Sequence, residues 1–319
     1  MTATHGAATV PAGRVENIVS NNLSIQHEPE RQLIPARALV VGEVLWDVFP
    51  DASRLGGAPL NFAAHLRRLG HVPRIVSAVG QDAGGETAAA AITSLGLDTT
   101  FLQSSDHFRT GTASVSLGTD GATSFAIERP AAYDAVQISD AMLAQIEGWK
   151  PSWCYFGTLF PSRANGRHVL RQLLAALPEA RRFYDVNLRP GFESCDLICD
   201  LLQGADVVKV NERELTQVRD WLGMPADPEG FCRAGAARFG WRAVCATLGA
   251  RGCVMLVGDD YVEAAGLPVA VADTVGAGDA FAAAFMHGLV AGWPVTAIAE
   301  FANRTGADVV SARGAIPDR

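Results

Sequence analysis

Along most of this chain, short apolar runs alternate with stretches of helical period. The first run is Ala38-Leu39-Val40-Val41-Gly42, continuous in the way of a strand buried on both faces. Leu60 to Leu69 then follows helical spacing, opened by Pro59 and closed by Gly70. Val72 to Val79 predicts a strand, and Glu86 to Leu95 an alanine-rich helix ended by Gly96. Further strands are expected at 152–157, 181–186, 205–210, 242–247 and 252–257. Helices are expected at 139–147, 164–177, 211–222, 229–239, 277–291 and 295–310. Repeated strand–helix units predict an α/β fold with a mainly parallel central sheet covered on both faces.

Two stretches break this rhythm. Residues 1–36 are polar and without period, and read as a flexible N-terminal extension before a domain at 37–319. Thr99 to Ile127 alternates, with turn signals at Gly111 and Thr119-Asp120-Gly121 and no helix between its strands. That predicts a short antiparallel sheet standing off the main one.

Composition changes the picture mainly by exclusion. The 319 residues are 49% hydrophobic and 19% charged, an ordinary globular balance with length for a large core. A net charge of −8 argues against a broad nucleic-acid surface. Lys150 and Lys209 are the only lysines, and neither sits in a Gly-Lys-Ser/Thr sequence, so the common P-loop is excluded. The absence of Gly-x-Gly-x-x-Gly weakens a dinucleotide reading. Six scattered cysteines lack metal-site spacing and read as buried thiols of a reducing cytoplasm. No apolar run has the length of a membrane span, and no signal-peptide core is present.

Ligands of parallel α/β sheets lie outside the carboxyl ends of the strands. Asp47 and Asn61, flanking Gly56-Gly57, offer acceptors and donors of the kind a polyol needs, or they are a turn and a helix-start amide. Arg189, after Tyr184-Asp185-Val186-Asn187, could grip a hydroxyl or carboxylate, or pair with Asp185 across a surface turn. Asn211 and Glu214 share one face of a starting helix, where a capping box is the plainer reading. Thr247-Leu248-Gly249-Ala250-Arg251-Gly252 is a tight turn with exposed N–H groups.

Asp273-Thr-Val-Gly-Ala-Gly-Asp279-Ala-Phe281 is the most informative stretch. Small residues at a helix N-terminus suit a large anion, yet Asp279 puts a carboxylate in its mouth. Both make sense if the anion is a transferring phosphoryl group. N–H groups from Gly276 to Asp279 would stabilise its oxygens, and Asp279 would receive the proton of the attacking hydroxyl. A nucleotide-borne Mg²⁺ would offset the repulsion.

These residues carry a family resemblance. The segments GEVLWD, LGGAPLNFAAHLRRLG, DVNLR, KVNERE, TLGARG and DTVGAGDAF resemble, in order across 38–316, the ribokinase-like or PfkB carbohydrate kinases. The first two are most similar to bacterial fructokinases. The resemblance implies a three-layer αβα fold with a β lid built from about 48–58 and 99–130, often also a dimer surface. It implies Asp279 as catalytic base, with the amides of Gly276, Ala277 and Gly278 as anion hole. Asp47, Gly57 and Asn61 would bind the sugar. Asn211 and Glu214 would organise Mg²⁺ and the phosphates of ATP, reversing the capping reading. Thr247, Gly249, Gly252 and Asn303 would line the ATP site. Asp273 and the Val275 carbonyl would hold a monovalent cation such as K⁺.

Two features depart from the family pattern. The N-terminal extension has no counterpart, and the chain stops at Arg319, where many members continue through the cation loop. The expected activity is phosphorylation of a sugar's primary hydroxyl, with fructose foremost. Arg189 keeps 2-keto-3-deoxygluconate as an alternative, and a nucleoside is another. A non-catalytic sugar or nucleotide sensor would not need Asp279, and an oxidoreductase lacks its glycines.

Overall fold

The structure, a computed structural model, describes residues 1–2, 33–117 and 123–317. The expected extension at 1–36 lies outside them except at residues 1–2 and 33–36. There Ala36 is already buried, and its N–H donates to His71 Nδ1 at 3.0 Å. Leu33–Arg319 packs as one unit.

In chain order the elements are β1 (Arg37–Val41), β2 (Leu45–Val48), β3 (Ser53–Gly56), α1 (Ala58–Arg68), β4 (Val72–Gly80), α2 (Ala83–Ser94), β5 (Leu102–Ser105), β6 (Gly111–Leu117) and β7 (Thr123–Ile127). There follow α3 (Asp140–Trp149), β8 (Trp153–Phe156), α4 (Ala164–Ala176), β9 (Arg181–Asp185), α5 (Cys195–Gln203), β10 (Val207–Asn211), α6 (Glu212–Leu222) and α7 (Pro228–Phe239). The chain closes with β11 (Ala243–Thr247), β12 (Cys253–Val257), β13 (Asp260–Ala264), α8 (Ala277–Ala291) and α9 (Val295–Val310).

The main sheet runs β13-β12-β11-β10-β9-β8-β1-β4-β5. It is parallel from β11 to β5, and β12 and β13 add an antiparallel edge. Alternate strand residues point to opposite faces, so each face has its own core. Leu39 and Val41 join Ile146, Leu170, Leu201 and Phe231 on one side. Ala38 and Val40 join Phe62, Ala88, Phe285 and Ile298 on the other. The three-layer expectation holds.

The small sheet is ordered β3-β2-β6-β7. Its hairpin pairs are antiparallel, and β2 meets β6 in parallel. One part of the expected off-standing sheet belongs elsewhere: β5 pairs in parallel with β4, Ser77 opposite Leu102, at the edge of the main sheet. The helix α2 between them makes an ordinary parallel crossover, which the alternating pattern of Leu102–Ser105 did not reveal.

The order of strands reverses beside β1: the chain first builds outward to β4 and β5, then returns to β8 on the other flank. A crevice at the carboxyl ends opens at such a switch point. The loops after β1, β9, β10 and β11 and the start of α8 all converge there.

Candidate active site

The site begins with the entry into α8. Gly276 caps this helix in the left-handed region, at φ 80°, and a Cβ there would overlap the backbone of Ala315. Asp279 N–H is spent on Gly276 O at 3.1 Å, and Ala277 N–H reaches Thr274 O at 3.5 Å. Among the described residues no hydrogen bond uses the N–H of Gly276 or Gly278. The donors open to an anion are therefore centred on these two glycines; Asp279 supplies its side chain only.

The α8 residues Ala280 to Met286 are all buried, and three of them are successive alanines. Small side chains let α1 and α9 pack closely on this helix, which fixes the direction of its first turn. From α1, Asn61 Nδ2 donates to Asp279 Oδ2 at 2.8 Å. Asn61 Oδ1 is buried with no partner. A buried acceptor left without a donor is costly, and a ligand hydroxyl would satisfy it.

Two cavities meet at this turn. The first, about 160 Å³, is lined by Asp47, Gly57, Asn61, Arg189, Val275, Gly276 and Asp279, with Gly278 in its wall. The second, about 690 Å³, includes Thr247, Gly249, Gly252, Ala277 and Asn303, and again Gly278. Leu267, Pro268 and Val269 give it an apolar wall suited to a flat ring. A neighbouring groove reaches Asn211 and Glu212 from Thr247 and Gly249.

The smaller cavity also contains two residues that motif reading did not single out, Glu43 and Asn187. Glu43 is 5% exposed, and burial pushes its carboxyl above the ordinary range, against the pull of Arg189 and Arg129. Burial likewise raises Asp47 to about 6, opposed by Arg189 and Arg54 and reinforced by Asp273. Asp279, half-buried at the cavity floor, is pushed up to about 7 by burial and by Asp185; Asn61, Lys209 and Arg189 pull the other way. Arg189 does not pair with Asp185; its Nη1 donates to Asn187 Oδ1 at 2.7 Å and to Leu188 O at 3.2 Å. Asp185 is instead fully buried against Lys209.

Glu214 is buried, and its carboxylate accepts from Leu188 N–H and Asn211 N–H, both at 2.9 Å. Asn211 Oδ1 accepts from Glu214 N–H in return, also at 2.9 Å. The capping box is real, and each Glu214 oxygen already accepts one backbone N–H. No group of three His, Cys, Asp or Glu among the described residues could cage a metal.

Asp273 has partners too. Its Oδ1 accepts from Val275 N–H at 3.0 Å, and its Oδ2 accepts from Gly314 N–H at 3.0 Å and Arg54 Nη1 at 3.1 Å. Both oxygens are committed, and a guanidinium already supplies the positive charge. At the place where the resemblance puts a monovalent cation, Asp273 is thus already paired with Arg54. Asn303 Nδ2 is also engaged, with the carbonyls of Ala264 and Ala265 at 3.3 and 3.2 Å. It braces the loop that walls the larger cavity.

The sequence model of the pfkB family carbohydrate kinases matches residues 36–319, nearly the whole described unit. This chain belongs to that family. It is therefore a phosphotransferase whose acceptor is a sugar hydroxyl. It is 29% identical to a fructokinase of Escherichia coli over 301 residues, covering 88% of this chain and 95% of that one. Fructokinase-1 of Zea mays is 28% identical over 88% of this kinase and 94% of its own length. A fructokinase of Vibrio cholerae O395, solved in a fructose-, ADP- and calcium-bound form, superposes with a TM-score of 0.74 at 25% identity, over 88% of this chain and 94% of that one. A ribokinase II of E. coli, so described provisionally, shares the fold: TM-score 0.77 at 20% identity, over 89% and 95% of the two chains. No helix among the described residues of the kinase is long and apolar enough to cross a membrane.

Proposed function

We propose that this kinase transfers the γ-phosphoryl group of ATP to a primary hydroxyl of a small neutral sugar, and that the sugar is fructose. The observation that carries the reading is the junction at Gly278. A cavity of about 160 Å³ and one of about 690 Å³ share this residue as a wall, with the Asp279 carboxylate on the floor of the smaller. The smaller has the scale of one monosaccharide, and the larger that of a nucleoside triphosphate.

Within this reading each group has a task. Asp47 and Asn61 meet the sugar hydroxyls, and the unpartnered Asn61 Oδ1 accepts a hydrogen bond from one of them. Gly57, at φ 106°, brings its backbone to the sugar where a Cβ would strike Glu43 O. Asp279 takes the proton of the attacking hydroxyl, and the Asn61 hydrogen bond aims it. The amides of Gly276 and Gly278, with Ala277 between them, face the transferring oxygens. Thr247, Gly249 and Gly252 shape the nucleotide loop, and Asn303 holds its opposite wall. Bound Mg²⁺ would neutralise phosphate charge; Asn211 and Glu214 would meet its water shell from the helix start. K⁺ is not part of the proposal, because Arg54 meets the Asp273 charge.

The charge of the smaller cavity favours a neutral sugar over 2-keto-3-deoxygluconate. It holds three carboxyl groups, Glu43, Asp47 and Asp279, against the one guanidinium of Arg189. A substrate carboxylate would meet like charges once these groups ionise, above about pH 6 for Asp47 and about pH 7 for Asp279. Its volume disfavours a nucleoside. The names and the fructose-bound form of the relatives point the same way.

The test is ADP release with product mass determination for fructose, 2-keto-3-deoxygluconate and adenosine. Fructose should have the highest kcat/KM, about tenfold or more above the keto-acid, equivalent to about 1.4 kcal/mol. A higher value for the keto-acid would show that Arg189 governs substrate choice, against this reading.

A further inference from the structure

Lys209 stands in the middle of a strand, in Val207-Val208-Lys209-Val210, with 5% of its surface exposed. It is one of only two lysines in the chain. Its Nζ donates to both oxygens of Asp185 on the neighbouring strand, at 2.9 and 3.1 Å. Tyr155 OH donates to Asp185 Oδ2 at 3.3 Å from the next strand over. Burying such a pair is expensive, and an apolar pair of the same volume is often as stable or more so. Fold stability alone gives little reason for this pair to be ionic.

Its location gives a reason. A Cβ placed on Gly278 would lie 3.5 Å from Lys209 Nζ, with no other atom that close. The ammonium therefore lies directly beneath the turn where the two cavities meet. The groups around Asp279 are Asn61 from α1, Asp185 from β9, Lys209 from β10, Arg189 from the loop after β9 and Tyr155 from β8, with Glu43 and Asp47 in the same cavity. Arg189 lines the smaller cavity and bonds Asn187 and Leu188, whereas the Lys209–Asp185 pair lies on the other side of Asp279, beneath Gly278.

We propose that the Lys209–Asp185 ion pair acts on the reaction through Asp279: it places one positive and one negative charge beneath the Gly278–Asp279 turn, and their balance governs how readily that carboxylate takes the hydroxyl proton. Both are positioning residues and touch neither sugar nor nucleotide. Lys209 draws Asp279 toward its charged form, and Asp185 opposes this. The ammonium itself stays charged: burial alone would lower it, but Asp185 and Glu214 hold it above its ordinary value. The inference rests on Asp279 being the base.

The experiment is kcat/KM against pH with fructose and ATP, for wild type, Lys209→Met, Lys209→Arg and Asp185→Asn. Removing the positive charge should move the acidic limb to higher pH, and removing the negative charge should move it lower. Each shift should be about one unit or more, the scale of one nearby charge. Lys209→Arg keeps the charge and should leave the limb in place. A purely structural pair would depress activity at every pH and leave the limb where it was. Limbs that stay put, or move the same way in both variants, overturn the proposal. If Lys209→Met does not fold, Asp185→Asn decides alone, since its amide keeps the shape. Asp279→Asn separates the two claims: full turnover there refutes the base itself, whereas loss of turnover with unmoved limbs refutes only the pair.

Discussion

Gly276 and Gly278 stand two residues apart and are glycine for different reasons. Gly276 has φ 80° and no room beside Ala315, so Gly276→Ala should lower the melting temperature through strain of about 1–3 kcal/mol. Gly278 lies inside the first turn of α8 with an ordinary backbone, and a Cβ there makes only the 3.5 Å contact with Lys209. Helix propensity favours alanine at such a position by about 0.5–1 kcal/mol. Gly278→Ala should keep or raise the melting temperature, yet cut kcat by about tenfold or more, because the methyl group enters the transfer path. Thermal melts beside saturating kinetics check both. An unchanged kcat in Gly278→Ala would place the phosphoryl group elsewhere. At this scale the motifs were legible where small residues break helix rules, as in 273–281. Glu43 and Lys209 were not singled out, and Asp185 was read only as a surface partner for Arg189, because each adjoins or lies in an apolar strand and passes for part of it. A charge inside such a run was the available signal.

The βα units were legible because buried parallel strands are continuous apolar runs and their helices keep a clear period. Edge and lid strands lack that contrast. The β13 strand is only partly buried, and β2 and β3 are four residues each. Their placement comes from pairing, which no local pattern records. One consequence concerns β3, whose Arg54 stacks on Phe49 at 4.8 Å and bonds Asp273 at 3.1 Å. This ties the small sheet to the loop that enters α8. Arg54 is well exposed, so the pair should add little to overall stability. Its effect should be local: Arg54→Ala should raise the fructose KM several-fold and speed amide exchange in Leu45–Val48 and Ser53–Gly56, with the melting temperature nearly unchanged. Unaltered exchange in those strands would mean that Arg54 does not seat the lid. Turnover should also be equal in potassium and tetramethylammonium chloride of the same strength.

At the scale of the whole molecule, the site is held against the preference of the fold. Burial raises Glu43, Asp47, Glu214 and Asp279 together, so the folded protein would sooner keep these carboxyls protonated. Burial raises the Asp279 carboxyl from its ordinary 3.8 to about 7 in the folded protein. Between those values the folded state binds the extra proton, and its stability from this group falls as pH rises, then levels above about 7. His71, lowered to about 4 by burial and His287, acts oppositely in part of the same window. The difference between wild type and Asp279→Asn removes that complication. The variant should melt no lower than wild type near pH 4 and progressively higher through pH 7, by roughly 2–4 °C for each kcal/mol relieved. Equal melting at pH 8 would show that the carboxylate is not under strain.

The central claim is that the Asp279 carboxylate takes the proton of the sugar hydroxyl at the junction of the two cavities. Its most direct measurement is kcat of Asp279→Asn with saturating fructose and ATP at pH 8. The amide keeps the shape and the contact with Asn61 but cannot accept the proton. The account predicts a fall of about 10²–10⁴ in kcat. A variant turning over within a fewfold of wild type would contradict it.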